Sequence, residues 1–374
     1  MGNYHDQYHQ YLYIGDSLYI NSTKNLISVL IDLYFKALPF SFIERKTRSG
    51  KLNNSLLLIR LIRVFQLTYK FHKLKRKVRV GTSSKLLYCK AEGDFLLKTR
   101  NKGIKIFNIR NKKATTLFAP LLSSEDIENR INTLKQSEKC SLAPALINTA
   151  LTNRYYTETY VNCRRTNRED LIEAGLEQHA FSVILDVLRS TPPSKIDLFY
   201  YRSILKQEFE SLLDNEVLRK QDLTNIKEFV TCNFNKLKSF NQINKYIILG
   251  FSHGDLWEGN ILQESGKSYV IDWETLGYRS CYFDYYFFMI DTTRNQNQLK
   301  AQIEKSYFTF FTKKLKEFEG FNSLETSTNC ASLYKYLFFT EWVILKLSEG
   351  DNVAEINKMI SRFQLTEKYI RLLK

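Results

Sequence analysis

The stretch Phe251 to Leu262, FSHGDLWEGNIL, followed after ten residues by Asp272 in YVIDWE, constrains the fold more than any other part of the chain. One carboxylate, Asp255, stands five positions before a carboxamide, Asn260, and a second carboxylate, Asp272, ends an apolar run. Two β-type runs flank these polar groups, Tyr246 to Phe251 (YIILGF) and Tyr269 to Ile271. A loop held between strands is therefore expected to present two carboxylates and an amide. Oxygens of these kinds are what a hard cation such as Mg²⁺ takes from a protein when phosphate supplies the rest. Gly254 and Gly259 suit a tight loop whose backbone takes unusual dihedrals.

The wording HGDxxxxN and then IDWE resembles the aminoglycoside phosphotransferase and choline kinase branch of the protein kinase-like fold. The resemblance implies an α+β fold of two lobes, a small antiparallel-sheet N-lobe and a larger, mainly helical C-lobe. It implies an ATP-dependent phosphotransferase in which Asp255 is the base facing the acceptor hydroxyl and Asn260 and Asp272 hold Mg²⁺. Such transfer passes through a loose transition state, so the enzyme mainly positions reactants and neutralises phosphate charge. On the same resemblance His253 braces the loop by hydrogen bonding, and Asp284, twelve residues after Asp272, supports it as well. So short a path leaves little room for a phosphorylatable activation segment, and the expected acceptor is a small molecule or a glycan.

From Val78 the period changes to short strand-like runs, KLLYCK (85–90), FLLKT (95–99) and IKIFNI (104–109). Under the resemblance these open the N-lobe, and Gly93 in AEGD sits in the turn over the nucleotide, where protein kinases carry three glycines. Lys105 then falls at the third-strand lysine that reaches the α- and β-phosphates, with Lys98 the alternative if the hairpin shifts by one strand. Ser123 and Ser124 before Glu125 and Asp126 mark a helix start. Glu128 on that helix is the expected partner of the strand lysine, and Glu125 is the alternative. The expected organisation is a helical N-terminal extension over 1–77, an N-lobe over 78–161 and a C-lobe over 162–374.

Hydrophobic residues make up 44% of the 374, enough for well-filled cores. Six cysteines without a CxxC pair suggest neither a zinc site nor a disulfide framework, so a reducing cytoplasm is the expected home. The opening residues lack a secretory pattern, and no apolar run reaches the roughly 20 residues of a membrane span. A net charge of +16 raises three partners: nucleic acid, anionic lipid and a phosphate-rich ligand. Nucleic acid ranks last, because no zinc finger, RNP motif or helix-turn-helix accompanies the charge. In Ser55 to Lys77, Arg60, Arg63, Gln66, Lys70, Lys73 and Lys77 form a narrow polar stripe on an apolar helix. That helix either packs with its basic edge in water or rests peripherally on an anionic membrane, at its inner face. A basic chain favours an anionic or lipid-linked acceptor, such as a sugar in a surface-polysaccharide or lipopolysaccharide pathway. A choline or amino-alcohol kinase is one alternative. The other is a non-catalytic kinase-like module, which would have no need of a base and metal ligands together.

Overall fold

The computed structural model describes residues 8–44, 55–80, 86–99, 103–166, 176–215, 218, 222–240, 245–264, 266–291, 305–350 and 352–372. Part of the expected turn RNKG, residues 100–102, lies outside them. The chain divides into two compact units. The first comprises Met1–Glu138, Ala143–Arg165 and Leu262–Ile271, and the second Lys139–Leu142, Thr166–Ile261 and Asp272–Lys374.

The first unit is built on an eight-stranded antiparallel sheet that begins within the supposed helical extension. Strands β1 (His9–Gly15) and β2 (Leu18–Asn21) form a hairpin, with Gly15, Asp16 and Ser17 all at positive φ in its turn. A turn of that hand matches the right-handed twist of the paired strands. The expected helical extension over 1–77 is thus corrected in part: residues 9–21 supply two strands of the N-lobe sheet, and helices follow them. The remaining strands are β3 (Leu86–Cys89), β4 (Phe95–Lys98), β5 (Ile104–Asn108), β6 (Lys113–Leu117), β7 (Leu146–Ala150) and β8 (Tyr155–Thr159), in the order β3-β1-β2-β4-β5-β6-β8-β7. The expected β3-β4-β5 meander does not form. The β1–β2 hairpin stands between β3 and β4, pairing Leu18 with Leu97 and Ile20 with Phe95. The meander that does form is β4-β5-β6.

Helices cover one face of this sheet. Helix α1 (Leu26–Ile31) runs into a π-helical turn (Asp32–Lys36), and α2 (Leu56–Arg79) starts at Ser55, whose side chain accepts from Leu58 N–H. Val64, Leu67 and Phe71 of α2, three to four residues apart, bury one stripe against Phe95 and Phe107. Arg60 corrects the picture of a wholly solvated polar stripe. It is fully buried, and its guanidinium donates to the carbonyls of Leu33 and Tyr34 at 2.7 Å. Those donations satisfy acceptors in the π-helical turn and leave the charge hydrogen-bonded. Helix α3 (Ser124–Ser137) opens with a capping box in which Ser123 and Asp126 satisfy each other's backbone N–H.

In the second unit, helices surround a small sheet of β10 (Ser194–Asp197), β11 (Tyr246–Ser252) and β14 (Gly277–Ser280), with β11 central. The helices are α4 (Leu176–Arg189), α5 (Leu198–Leu213), α6 (Thr224–Phe240), α7 (Phe283–Asp291), α8 (Lys305–Lys316), α9 (Thr328–Ser348) and α10 (Val353–Leu372). The nearly continuous apolar sequence of α9 fits its position, since most of its residues are buried on every side. Its Glu341 is 3% exposed and accepts from Ser280 N–H, the Ser280 hydroxyl and the Tyr201 hydroxyl. Burial pushes this carboxyl above its ordinary range, against the lowering effect of those three donors. A short sheet of β9 (Arg164–Arg165), β12 (Ile261–Glu264) and β13 (Lys267–Val270), nearly all of it in the first unit, completes the strands. No described helix is long and apolar enough to cross a membrane.

Candidate functional site

The buried run of β11 ends at Ser252 and turns into the loop that carries Asp255. Asp284, in the first turn of α7 and 2% exposed, locks this turn. Its carboxylate accepts from His253 N–H at 2.7 Å and from Gly254 N–H at 2.9 Å, so one buried charge satisfies two backbone donors. The Thr275 hydroxyl donates to the His253 carbonyl at 2.7 Å, and Arg279 Nη2 donates to the Thr275 carbonyl at 2.8 Å. His253 is wholly buried. Its ring lies edge-on to Trp273 with centroids 4.7 Å apart, and its Nδ1 accepts from Asp255 N–H at 3.2 Å. Gly254 has φ +86°, and a Cβ there would stand 2.5 Å from the Thr275 carbonyl. Gly259 has a different reason from the one expected: its φ is not positive, but a Cβ would meet the Trp257 ring at 2.3 Å.

On this braced loop the Asp255 side chain is 34% exposed, and its Oδ1 is 3.7 Å from Lys346 Nζ on α9. Asn260 closes a 3-10 turn, Glu258–Asn260, and donates its amide nitrogen to the Asp255 carbonyl at 2.9 Å and to Asp255 Oδ2 at 3.4 Å. Asp272 is exposed and holds a left-handed backbone, φ 64° and ψ 55°, directly before the turn Trp273–Thr275. An aspartate in this conformation is uncommon, and such strain collects at functional sites. Among the described residues no group of three or more His, Cys, Asp or Glu gathers for a metal ion. The donor types nonetheless suit a hard cation that draws further oxygens from phosphate. Asp272 offers a carboxylate, and Asn260, with its amide nitrogen turned to Asp255, retains Oδ1.

In the first unit the expected constellation is rearranged. Lys105 lies on β5, the second strand of the meander actually formed, and its Nζ is 2.9 Å from Glu158 Oε1 on β8. Both side chains are largely buried, and the strand register puts them on one face through Lys105↔Thr116 and Ala114↔Glu158. Glu128 is exposed on α3, and the lysine takes its carboxylate from β8, two strands away, and not from the helix. Lys98 is exposed, with its ammonium 5.4 Å from the Tyr19 ring centre. Gly93 does not sit in an open turn. It is buried, its carbonyl accepts from Asn21 Nδ2, and a Cβ would collide with Ile106 at 2.4 Å.

Sequence reasoning missed Lys346, Arg279 and Glu341. These lie on elements that no motif spacing links to the loop. Arg279 and Glu341 line a cavity of about 770 Å³ within the second unit, together with Tyr201 and Glu208 from α5, Tyr278 from β14 and Ser348 from α9. Arg279 ties this wall to the loop, since its Nη1 would come within 3.0 Å of a Cβ on Gly254. Among the described residues that Nη1, which is buried, has no hydrogen-bond partner. Burial raises the Glu208 carboxyl, opposed by the Arg279 charge.

The ecdysteroid kinase-like family model matches residues 177–320, the segment holding Asp255, Asn260, Asp272 and Asp284. With that match, a sheet ordered β4-β5-β6-β8-β7, a helix after its third strand, and a helical unit carrying the braced loop are together decisive. The fold is protein kinase-like. Kinase-like solved structures similar to the chain include a choline/ethanolamine kinase family protein from Mesorhizobium loti, at 12% identity and TM-score 0.47, covering 74% of this chain and 87% of that one. Choline kinase LicA from Streptococcus pneumoniae is 14% identical, with TM-score 0.47 and coverage of 72% and 89%. An ADP-bound aminoglycoside phosphotransferase is 13% identical, with TM-score 0.44 and coverage of 72% and 91%. No curated protein matches the sequence.

Proposed function

We propose that this kinase-like chain transfers the γ-phosphoryl group of ATP to a hydroxyl of a small molecule. The observation that carries the reading is the presentation of Asp255, a partly exposed carboxylate on a loop otherwise locked by buried hydrogen bonds to Asp284, His253 and Asn260. A loop so constrained holds one oxygen in a fixed direction, which is what a base toward an acceptor hydroxyl requires. In this reading Asn260 and Asp272 hold Mg²⁺, which supplies positive charge to the phosphates when bound.

The acceptor occupies the cavity beside Arg279. Tyrosine, glutamate, serine and arginine along its wall are groups that hydrogen-bond hydroxyls. That chemistry, with the net charge of +16, supports a sugar hydroxyl in an anionic or lipid-linked glycan as the finer identity. The test is phosphorus NMR on purified protein with ATP, Mg²⁺ and a panel of glycans, choline and ethanolamine. A phosphorylated glycan is the expected product. Turnover on choline or ethanolamine alone would move the assignment to an amino-alcohol kinase, and nucleotide binding without any turnover would move it to a non-catalytic module.

A further inference from the structure

The outward face of α2 belongs neither to the core of its unit nor to the proposed chemistry. At 100° per residue, Leu58, Ile62, Phe65, Tyr69, Lys73 and Arg76 fall within one narrow arc, opposite the buried Val64, Leu67 and Phe71. The first four are exposed, Phe65 by 54% and Tyr69 by 69%. This face is therefore apolar over its first three turns and basic over its last two, where Lys77 and Arg79 extend the charge. Helix α1, which packs on α2, and the turn that follows it expose Ile27, Ile31 and Phe35 at intervals of four residues. A helix apolar on both sides is expected in a core or at a lipid boundary, and large side chains so clustered on a surface mark a docking face.

We propose that α2 rests on an anionic lipid bilayer, its first half seated among acyl chains and its second half against acidic headgroups. Charge decides between the possible occupants. A second copy of this chain would bring like charge against the basic half, since each copy carries +16, whereas an anionic bilayer complements both halves at once. The burial of Arg60 fits the same geometry: of the two cations in the first half of the helix, Arg60 points inward, to the Leu33 and Tyr34 carbonyls, and Arg63 falls outside the outward arc.

The test is co-sedimentation of the full chain with vesicles of phosphatidylcholine and with vesicles that also contain phosphatidylglycerol. The expected result is binding to the mixed vesicles alone, weakened by salt. Ile62→Ser with Phe65→Ser, and separately Lys73→Gln with Arg76→Gln and Lys77→Gln, should each reduce bound protein about tenfold or more. Melting temperature and phosphoryl transfer to a soluble acceptor should not change, because these side chains lie outside the core and the proposed site. Absence of binding to either vesicle would overturn the proposal. So would a dimer, seen by light scattering, that Phe65→Ser dissociates, since that would assign the face to a second copy.

Discussion

Asp272 holds a conformation that most side chains avoid, and asparagine tolerates it nearly as well. Asp272→Asn should therefore fold with an unchanged melting temperature yet lose about a hundredfold or more of phosphoryl transfer, because only the carboxylate is removed. Asp255→Ala should lose a comparable factor with nucleotide affinity intact, read by titration calorimetry. Asp284 behaves differently. Replacing it by alanine strands the N–H groups of His253 and Gly254 in a buried site, at a cost of about 3 kcal/mol or more in a denaturant melt. Asp284→Asn should fall between, since its amide offers one acceptor oxygen to two donors. The motif residues were legible because they follow one another closely along the chain, from His253 to Asp284. Lys346 and Arg279 were not, since their proximity to the Asp255 loop arises only after α9 and β14 have packed.

Elements add effects that no single residue explains. Glu341 is set in α9 among apolar neighbours, and burial raises its carboxyl above the ordinary value of 4.5. The folded chain thus holds this proton more tightly than the unfolded chain. The stabilisation is fully present below pH 4.5 and is lost as pH rises through the raised folded value. Glu341→Gln should accordingly lessen the fall in melting temperature as pH rises above about 4.5, where the native chain loses this contribution. An equal slope in both proteins would remove Glu341 as the cause. Ser123→Ala should cost about 1 kcal/mol by opening the capping box of α3. That helix start was readable from Ser and acidic residues in sequence. The β1–β2 hairpin was not anticipated, since 1–77 was expected to be helical, and its place inside the sheet, between β3 and β4, depends on pairing with strands distant in sequence.

Across the whole molecule, the first unit depends on its earliest residues. Leu12, Ile14, Leu18 and Ile20 are fully buried, and β2 covers the edge that β4 would otherwise expose. A chain beginning at residue 78 should fail to unfold cooperatively and should aggregate. Four buried aliphatic side chains at about 2 kcal/mol each are comparable to the roughly 5–15 kcal/mol that stabilises a typical protein. A sharp thermal transition from such a chain would mean that the hairpin is dispensable. Local spacing by itself determined the two carboxylates, the amide, the strand runs beside them and the helix caps, because those depend on neighbours along the chain. Only the tertiary structure decided that β3 pairs with β1, that Lys105 meets Glu158 instead of Glu128, and that Arg60 is buried while Phe65 is exposed. Those outcomes depend on which distant strands and helices compete for the same face, and the best-packed arrangement is a property of all of them together.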